Sequence, residues 1–442
     1  MSVTQSAVLL SAVRPFPMDN GKSVVIAGFL RHLSGRCGAS NVHFVHVGAP
    51  LGDMSDLSEV SVHEMGVPTM RDRLVGGVVK AGLQRRSLQE SLTWSPSVAA
   101  HVRRAIVEID PDIVVIDTIR MAQHLDGLPL RGRRILYLDD LFSVRYRRML
   151  EVIDDVDAEE TGFDPIGNFA GNIPAPLRPL TAAPTTRRML LRTEARRVAR
   201  SEVRAAELAE VCLLLNEHEV THLREVSTAN VTRVSPLVQV SAHTPARWNG
   251  AADFAFVGLL SIPHNHDGLT WFLRNGMPEL LTRRPDARLH VFGRGISPDL
   301  AAEADRFGDR IVVHGFVEDL DAALGPMCAL VSPLRFGSGI KIKTLDALAR
   351  GLPTVTTPVG AEGIREQDGP GLRVCSGAAD IGLALARLAD PNERAIEAAA
   401  ARRLYREQYA QAVVQARYDE VFGTRETVAP TQEATRPERV SA

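Results

Sequence analysis

The chain has 442 residues, of which 45% are hydrophobic and 24% are charged, and its formal net charge is −2. This length is too great for one ordinary hydrophobic core, so it predicts two or three domains. The near-neutral charge excludes a general attraction to nucleic acid, and no run reaches the roughly 18 uninterrupted apolar residues that a membrane-spanning helix needs.

The first half of the chain alternates short apolar runs with helical periodicity. The predicted strands are 7–13, 42–47, 113–116, 135–138 and 211–215, and the predicted helices are 24–33, 97–108 and 187–210. Between 154 and 186 the periodicity fails, and we predict a surface loop. Apolar runs that alternate with helices are typical of a parallel sheet with helices on both faces.

The second half repeats the alternation after a stretch in which Pro236, Pro245 and Gly250 indicate a linker. The predicted strands are 254–257, 288–292, 311–313, 329–331, 353–356 and 372–374, and the predicted helices are 267–281, 340–350, 381–388 and 393–422. The whole pattern predicts an α/β protein with two doubly wound, Rossmann-like domains that face a central cleft.

The predicted boundaries follow from these elements. We expect a first domain over 1–235, a linker over 236–252, a second domain over 253–405, a helix over 406–423 that returns to the first domain, and a disordered tail over 424–442. Ligands of open α/β sheets bind at the carboxyl ends of the strands, so the cleft between the domains is the expected site.

The cysteines and the first apolar run indicate a cytoplasmic protein. The run lacks a basic segment before it and is interrupted by Arg14, which favours a strand over a signal peptide. The cysteines form neither a C-x-x-C pair nor a metal cluster with histidines, and we interpret them as buried thiols in a reducing compartment. They are Cys37, Cys212, Cys328 and Cys375.

The sequence PLRFGSGIKIKTLDALARG is predicted to bind phosphate. Gly337 and Gly339 flank Ser338, which is a good N-cap for a helix that begins at Ile340. The free amide groups of Gly339, Ile340 and Lys341 would lie at the positive end of that helix, where anions bind.

Lysine is rare in this chain. Lysine and arginine together number 51, but the lysines are only Lys22, Lys80, Lys341 and Lys343. Two of them stand beside the glycine loop, which favours a site that needs compact point charges. The alternative is chance placement on a solvated helix face.

Several motifs of the second half together resemble the donor-binding half of family-four glycosyltransferases, which have the GT-B architecture and retain the anomeric configuration. They are FVG at 256–258, HNHDGLTWFL at 264–273, LHVFGRG at 289–295, VVHGFVEDL at 312–320 and SPLRFGSGIKIKTLDALARGLPTVTTPVGAEGI at 332–364. The first half is similar more weakly. Its motifs are PFPMDNGK at 15–22, LDDLFSVRY at 138–146 and LLLNEHE at 213–219.

The resemblance implies that a sugar moves, with retention, from a nucleotide-diphosphate sugar to an unidentified acceptor, with no cofactor. The diphosphate would lie at the loop-helix junction, where Lys341 or Lys343 would neutralise it. The family's two carboxylates would fall at Ser338 and Asp346, so the first is a serine here, while the second would bind the ribose hydroxyls. Asp140 would orient the acceptor hydroxyl.

The resemblance therefore gives two sets of site residues. The predicted catalytic residues are Asp140, Lys343 and Asp346. The predicted donor-binding residues are Gly21, Lys22, Gly258, Asn265, Gly293, Arg294, Gly337, Ser338, Gly339, Ile340, Lys341, Lys343 and Asp346. The family's basic pair after FVG is missing, and the lysines of the helix would compensate for it.

No metal ion is expected at this site. The DPD at 110–112 precedes a strand and the DVD at 155–157 lies in an acidic stretch, so both indicate surface charge rather than a metal motif. The GRG at 293–295 lacks the third glycine of a dinucleotide fingerprint and indicates a tight turn.

A row of arginines along the helix at 187–210 is a candidate for weak peripheral contact with a membrane. Glu194 and Glu202 are interleaved with it, and this dilution of charge favours a solvated face. The arginines, spaced four residues apart, are Arg188, Arg192, Arg196, Arg200 and Arg204.

Two other functions are compatible with the same fold. One is a catalytically silent GT-B module that binds a nucleotide or serves as a scaffold, and Ser338 in place of the family's glutamate favours it. The other is a sugar-nucleotide epimerase, which the linker and glycine-loop motifs disfavour. No nucleic-acid partner is expected, and the sequence does not determine the oligomeric state.

Overall fold

The structure is a computed structural model that describes residues 5–18, 21–154, 184–238, 247–337, 340–365 and 367–423. Its strands form one seven-stranded and one six-stranded sheet, and every pair of neighbouring strands is parallel. Helices cover both faces of each sheet, which confirms the predicted pair of doubly wound domains.

The first sheet has the strand order β3-β2-β1-β4-β5-β6-β7. The strands are β1 Ala7–Ser11, β2 Val42–His46, β3 Ser61–Glu64, β4 Ile113–Asp117, β5 Arg133–Asp139, β6 Val211–Leu214 and β7 Val231–Arg233. Ala7 pairs with Val42 on one side and with Ile113 on the other. The order reverses between β1 and β4, and such a switch point opens a crevice at the carboxyl ends of the strands.

The helices of this half lie among those strands. They are α1 Gly21–Cys37, α2 Met70–Gly76, α3 Leu88–Thr93, α4 Pro96–Ile109, α5 Thr118–Ala122, α6 Phe142–Asp154, α7 Pro184–Leu208 and α8 Glu217–Val226, with a π-helical segment at Gly77–Leu83. Helix α6 was not predicted. Of the predicted loop over 154–186, residues 155–183 lie outside the described residues, while 154 ends α6 and 184–186 begin α7.

The second sheet has the order β10-β9-β8-β11-β12-β13, with its switch point between β8 and β11. The strands are β8 Asp253–Val257, β9 Arg288–Phe292, β10 Ile311–Gly315, β11 Ala329–Ser332, β12 Thr354–Thr356 and β13 Leu372–Val374. The helices are α9 Pro263–Asn275, α10 Met277–Arg283, α11 Pro298–Asp305, α12 Leu320–Leu324, α13 Ile342–Arg350, α14 Pro358–Ala361, α15 Ala378–Leu388, α16 Pro391–Gln408 and α17 Gln411–Phe422.

Two helices predicted as continuous are each divided in the structure. Gly276 separates α9 from α10, and Pro278 then occupies the first turn of α10. Tyr409 ends α16 because its backbone leaves the helical region at φ −129°. Its hydroxyl donates to the carbonyl of Gly363 at 3.0 Å, which ties the break to the second domain.

Helix α17 packs against the first domain. The ring of Phe29 on α1 lies 5.3 Å from the rings of both Tyr418 and Phe422, and 5.1 Å from the ring of Tyr137 on β5. The Tyr418 hydroxyl donates to the carbonyl of Ser235 at 2.8 Å. Helix α17, near the end of the chain, therefore contributes to the apolar core of the first domain.

The cysteines are all free, and Cys37, Cys212 and Cys328 are buried as predicted, whereas Cys375 is only half-buried. None of the helices that the structure describes combines the length and the hydropathy needed to cross a bilayer.

Candidate functional site

The carboxyl ends of β1, β4 and β5 bring polar side chains to one edge of the first sheet. Ser11 Oγ donates to Asp117 Oδ2 at 2.7 Å, and the Tyr137 hydroxyl donates to Asp139 Oδ1 at 2.7 Å. Asp139 adopts a φ of 69°, and burial raises the pKa of its carboxyl. Asp140, the predicted acceptor-side residue, follows it and is only 2% exposed. The first wall of the cleft is therefore rich in carboxylates.

Lys22, in the first turn of α1, points toward this edge. Its Nζ lies 3.1 Å from Asp117 Oδ1 and 3.8 Å from Asp139 Oδ2. Lys22 is one of the predicted donor-binding residues. In the structure its ammonium contacts two carboxylates, so an anion that binds Lys22 has to compete with them.

The turn after Asp140 is fixed by carboxylates from neighbouring helices. Glu219 Oε1 accepts from the amide of Leu141 at 3.2 Å, and Glu202 Oε1 accepts from the amide of Ser143 at 3.3 Å. Burial raises the pKa of Glu202 to about 7. These bonds satisfy amides at the start of α6, which otherwise have no partner within the helix, and they hold Asp140 in place.

Glycines leave the carboxyl ends of β8, β9 and β10 without side chains. The Gly293 amide donates to the carbonyl of Gly315 at 2.7 Å, and Gly293 has a φ of 148°. A Cβ at Gly293 would lie 1.8 Å from the carbonyl oxygen of Gly258, and a Cβ at Gly258 would lie 2.9 Å from Cγ of Asn265. The predicted donor-binding residues Gly258, Asn265 and Gly293 thus lie together, and only glycine fits at Gly293.

Arg294 stacks on an aromatic ring at this edge. Its guanidinium carbon lies 3.9 Å from the centre of the Phe316 ring, and 59% of Phe316 is exposed. Phe316 lies in the VVHGFVEDL motif, but the sequence alone indicates no role for it. A cation over an exposed ring makes a flat surface on which another ring can stack.

Helix α13 begins at Ile342, two residues later than predicted. Lys341 occupies the N-cap position with φ −93° and ψ 96°, and no side chain caps the helix. The helical amides without an intrahelical partner therefore belong to Ile342 and Lys343, and the prediction that the helix begins at Ile340 is wrong. An N-cap directly precedes the first helical residue, so Ser338 cannot fill that role for this helix.

The glycine loop before α13 is described only in part. Gly337 has a φ of 129°, which suits glycine. Ile340 is buried. Ser338 and Gly339 lie outside the described residues, so their predicted roles in donor binding stay predictions.

Gly21 brings the N-termini of two helices together across the cleft. A Cβ at Gly21 would lie 3.1 Å from Cγ1 of Ile342, which is closer than an ordinary van der Waals contact. The absence of a side chain at Gly21 therefore lets α1 approach α13. The positive ends of both helix dipoles lie at this point, where an anion is favoured.

Lys343 is held inside the second domain. Its Nζ donates to Asn265 Oδ1 at 2.9 Å and lies 5.0 Å from the centre of the Phe256 ring. Burial, with the charge of Lys341, lowers the pKa of Lys343 to about 7. The nearby His264 has its pKa lowered to about 3 by burial and by these two lysines, so its imidazole is neutral.

Lys341 faces the first domain. Burial lowers its pKa to about 8, while the carboxylates of Glu362 and Asp140 act in the opposite direction. The ammonium of Lys341 and the carboxylate of Asp140 therefore interact electrostatically across the cleft. Asp140 in turn accepts from Arg145 Nε at 2.8 Å.

Arg148, which the sequence analysis missed, joins the two walls. Its guanidinium donates to both oxygens of Glu362, at 2.9 and 2.7 Å, and to the carbonyl of Gly337 at 3.3 Å. The available signal was the spacing of Arg145 and Arg148, which lie on one face of the helix after Asp140.

Asp346 is engaged within its own helix. Its carboxylate forms an ion pair with Arg350, one turn further on, and Arg350 also pairs with Asp321. The Asp346 side chain is 19% exposed. The ribose role stays a prediction, and it requires Asp346 to bind the sugar while it remains paired.

Metal ligands were not expected. Among the residues that the structure describes, no group of three His, Cys, Asp or Glu side chains is arranged to hold a metal ion. The DVD motif at 155–157 lies outside those residues.

The second wall of the cleft matches a known family. Residues 251–390 match the family model for glycosyl transferases group 1. This part of the chain is similar to that family, and the whole fold is the GT-B fold of glycosyltransferases. The resemblance and the fold class inferred from the motifs are therefore confirmed.

Solved structures with the same fold cover nearly the whole chain. HepE of Anabaena, in complex with UDP and glucose, is 10% identical, covers 94% of this chain and 99% of its own, and gives a TM-score of 0.61. TarM of S. aureus is 7% identical, covers 95% of this chain and 100% of its own, and gives a TM-score of 0.63. Sucrose-phosphate synthase of Thermosynechococcus elongatus is 14% identical, covers 95% of this chain and 98% of its own, and gives a TM-score of 0.63.

The chain is also similar to one curated protein over a shorter stretch. It is 30% identical over 127 residues to an uncharacterised 44.6 kDa protein in the cps region of Klebsiella pneumoniae. The match spans 27% of this chain and 33% of that protein, which is about a third of the relative's length.

Proposed function

We propose that this protein is a glycosyltransferase that moves a sugar, with retention of configuration, from a nucleotide-diphosphate sugar to an acceptor held by the first domain. One observation carries the proposal. Lys341, Lys343 and the start of α13 lie on one side of the cleft, while Asp140 lies on the other, and Lys341 interacts electrostatically with Asp140 across it. The UDP found in the related HepE and TarM structures supports a nucleotide donor.

The diphosphate would bind where the two helix N-termini meet. The free amides of Ile342 and Lys343 would donate to its oxygens, and the two lysines would supply the positive charge. Gly21 would let α1 close over the diphosphate from the other domain. Asp346 would bind the ribose hydroxyls.

The nucleobase would lie at the carboxyl ends of β9 and β10. Gly293 packs closely on Gly258, whereas a Cβ at Gly315 would meet nothing within 4 Å, so the end of β10 leaves room for a nucleoside. The stacked pair of Arg294 and Phe316 offers a flat, partly cationic surface to the base.

The chemistry needs charge stabilisation more than a strong base. The bond between the anomeric carbon and the diphosphate oxygen breaks, and the acceptor oxygen bonds to the same face of that carbon. The acceptor proton passes to the departing phosphate oxygen. Asp140 would orient the acceptor hydroxyl, and Lys341 and Lys343 would stabilise the negative charge that develops on the diphosphate. We propose that no metal ion takes part and that the reaction occurs in the cytoplasm.

The test is turnover of a panel of uridine, guanosine and adenosine diphosphate sugars, measured as slow hydrolysis with and without EDTA. The proposal expects hydrolysis of at least one donor, unchanged by the chelator. Loss of turnover with EDTA and its recovery with magnesium or manganese would contradict the metal-independent mechanism. Binding of donors without turnover of any of them would contradict the proposal that the protein is an enzyme.

A catalytically silent binding module is the second candidate. Two observations favour it. Ser338 replaces the family's first carboxylate, and the structure engages Asp346, which stands in for the second, in an ion pair with Arg350. This candidate expects nucleotide binding by calorimetry with no hydrolysis of any donor in the panel.

A further inference from the structure

A groove lies on the first domain between α6, α7 and α8. Its volume is about 580 Å³, and it opens to solvent. Apolar side chains line its floor, among them Leu150, Ala199, Val203, Leu223 and Val226. Val226 is 51% exposed, so the apolar surface continues out of the groove. The volume falls within the range of roughly 300 to 1,000 Å³ that is usual for small-molecule sites.

Arginines surround this apolar floor. They are Arg147, Arg192, Arg196, Arg200 and Arg204. Arg147 contacts His222 at 2.8 Å, and Arg204 pairs with Glu90 at 3.3 Å. Arg196 and Arg200 are exposed and form no ion pair with any residue that the structure describes. Glu207 also lines the groove and accepts from the amide of Thr228 at 3.2 Å, so the rim keeps an excess of cations.

The two glutamates expected to dilute this charge do not face the solvent. Glu194 and Glu202 are only 1% and 2% exposed. Glu194 accepts from the amides of Leu88 and Gln89 at 2.9 and 3.1 Å, and Glu202 accepts from the amide of Ser143. Both carboxylates cap helices inside the domain. The reason for interpreting the arginine row as an ordinary solvated face is therefore wrong.

The groove reaches the turn that follows Asp140. Leu141 and Ser143 line its wall, and Leu141 directly follows Asp140 in the chain. A molecule that fills the groove would therefore contact the turn that positions the carboxylate assigned to the acceptor hydroxyl in the proposed function.

We propose that the groove binds the hydrocarbon chain of a phosphate-bearing lipid and that this lipid is the acceptor. The apolar floor takes the chain, and the guanidinium groups of Arg196 and Arg200 bind the phosphate in the bidentate geometry that arginine provides. The inference rests on the proposed function, because it names the acceptor class of the same site.

The charge and shape of the groove favour this occupant over others. An acidic peptide would match the arginines but would leave the apolar floor uncovered. A bilayer surface would contact only the protruding side chains and would not enter a concave groove. A molecule with a single chain and one phosphate satisfies both the floor and the rim.

Dodecyl phosphate is a suitable probe, used with the full chain below the concentration at which the probe aggregates. Binding is measured by calorimetry. Dodecyl maltoside, which has the same chain and no charge, and inorganic phosphate, which has the charge and no chain, are the ligand controls. We expect dodecyl phosphate to bind at least roughly tenfold more tightly than either control, because only it uses both parts of the groove.

Two variants test the two parts separately. Arg196→Glu with Arg200→Glu should weaken dodecyl phosphate binding by roughly tenfold or more, since it removes charge-assisted bonds. Ala199→Trp should fill the floor and abolish binding. Arg104→Glu with Arg131→Glu makes the same change in net charge at residues outside the groove and should leave binding unchanged.

The results separate this inference from the proposed function. Donor hydrolysis or UDP binding that persists in the groove variants, together with loss of dodecyl phosphate binding, supports the inference. Equal binding of dodecyl maltoside, an equal loss in the Arg104 and Arg131 control, or binding only to anionic vesicles would overturn it while leaving the glycosyltransferase intact. If the unmodified protein neither binds nor hydrolyses any donor, the proposed function is overturned instead.

Discussion

Arg148 and Glu362 connect the two domains through a bidentate ion pair, with N–O distances of 2.9 and 2.7 Å. Arg148 lies on the helix that follows Asp140, and Glu362 lies just after α14, near the glycine loop. The pair therefore holds the acceptor wall and the donor wall of the cleft in one arrangement. The proposed donor site uses groups from both walls, so it depends on that arrangement.

Breaking this pair should open the cleft. Arg148→Ala leaves Glu362, which is 9% exposed, without its bidentate partner. We expect a larger radius of gyration by small-angle scattering and roughly tenfold weaker donor binding, in line with the loss of charge-assisted bonds. Arg147→Ala, at an exposed neighbouring position, is the control. An unchanged radius and affinity in Arg148→Ala would show that the pair does not hold the domains together.

Removing the Lys343 ammonium should weaken diphosphate binding by roughly 10- to 100-fold, because a charge-assisted bond to a partly buried phosphate contributes about 1.5 to 3 kcal/mol. Lys343→Ala is compared by calorimetry with Arg288→Ala, an exposed position at the amino end of β9, far from the strand edge that forms the site. Nucleoside monophosphates should be affected less. Equal affinities for the diphosphate in both variants would assign Lys343 no role in neutralising it.

Diphosphate binding should take up protons near pH 8. The pKa of Lys343 is lowered to about 7 and that of Lys341 to about 8, so both are partly neutral in the free protein at that pH. A bound diphosphate favours the ammonium forms and raises both pKa values, so affinity should rise as pH falls from 9 to 7. Calorimetry in buffers of different ionisation enthalpy measures the uptake. A proton count of zero at pH 8 would contradict the assignment.

Asp140→Asn should slow transfer to the acceptor and spare donor affinity, because Asp140 lies on the first domain and the donor on the second. The side chain keeps its size, so its contact with Arg145 is weakened rather than removed. Single-turnover rates and calorimetry separate the two effects. If the variant loses nucleotide binding instead, Asp140 does not act on the acceptor side.

Phe316→Ala should reduce affinity for the whole nucleotide but not for inorganic pyrophosphate. Stacking of a base on an aromatic ring contributes roughly 1 to 3 kcal/mol, so a loss of about 5- to 100-fold is expected. The control is Val313→Ala, which removes an exposed apolar side chain on β10, the strand that precedes Phe316. Phe307→Ala is unsuitable as a control because Phe307 packs against the core. An equal loss of affinity for pyrophosphate would show that Phe316 does not act by stacking on the base.

The alternation of strands and helices was predictable because strands buried on both faces are continuously apolar and so stand out in the sequence. The boundaries at Gly276 and Tyr409 were not, since the apolar periodicity runs on through both breaks. The start of α13 was misplaced by two residues because Ser338 and Lys341 both precede the apolar face, and only the backbone of Lys341 decides which is the N-cap.

The site was predictable where a motif carried it and not where two domains meet. Gly258, Asn265 and Lys343 come from separate motifs and do lie together. Arg148 and Glu362 are 214 residues apart in the chain, and no local pattern links them. Lys80, which the sequence places in a charge-rich helical stretch of the first domain, is 7% exposed, and its Nζ lies 4.6 Å from the centre of the Trp94 ring. It is therefore no control for a surface charge.

The packing of α17 on Phe29 has a consequence for biosynthesis. Tyr418 and Phe422 complete the apolar core around α1, yet the ribosome makes them after the whole second domain. Domains usually fold in the order in which they are synthesised. Here the second domain is complete before the first can close, so a chain that ends at residue 410 should contain a folded second domain and a first domain that remains sensitive to protease.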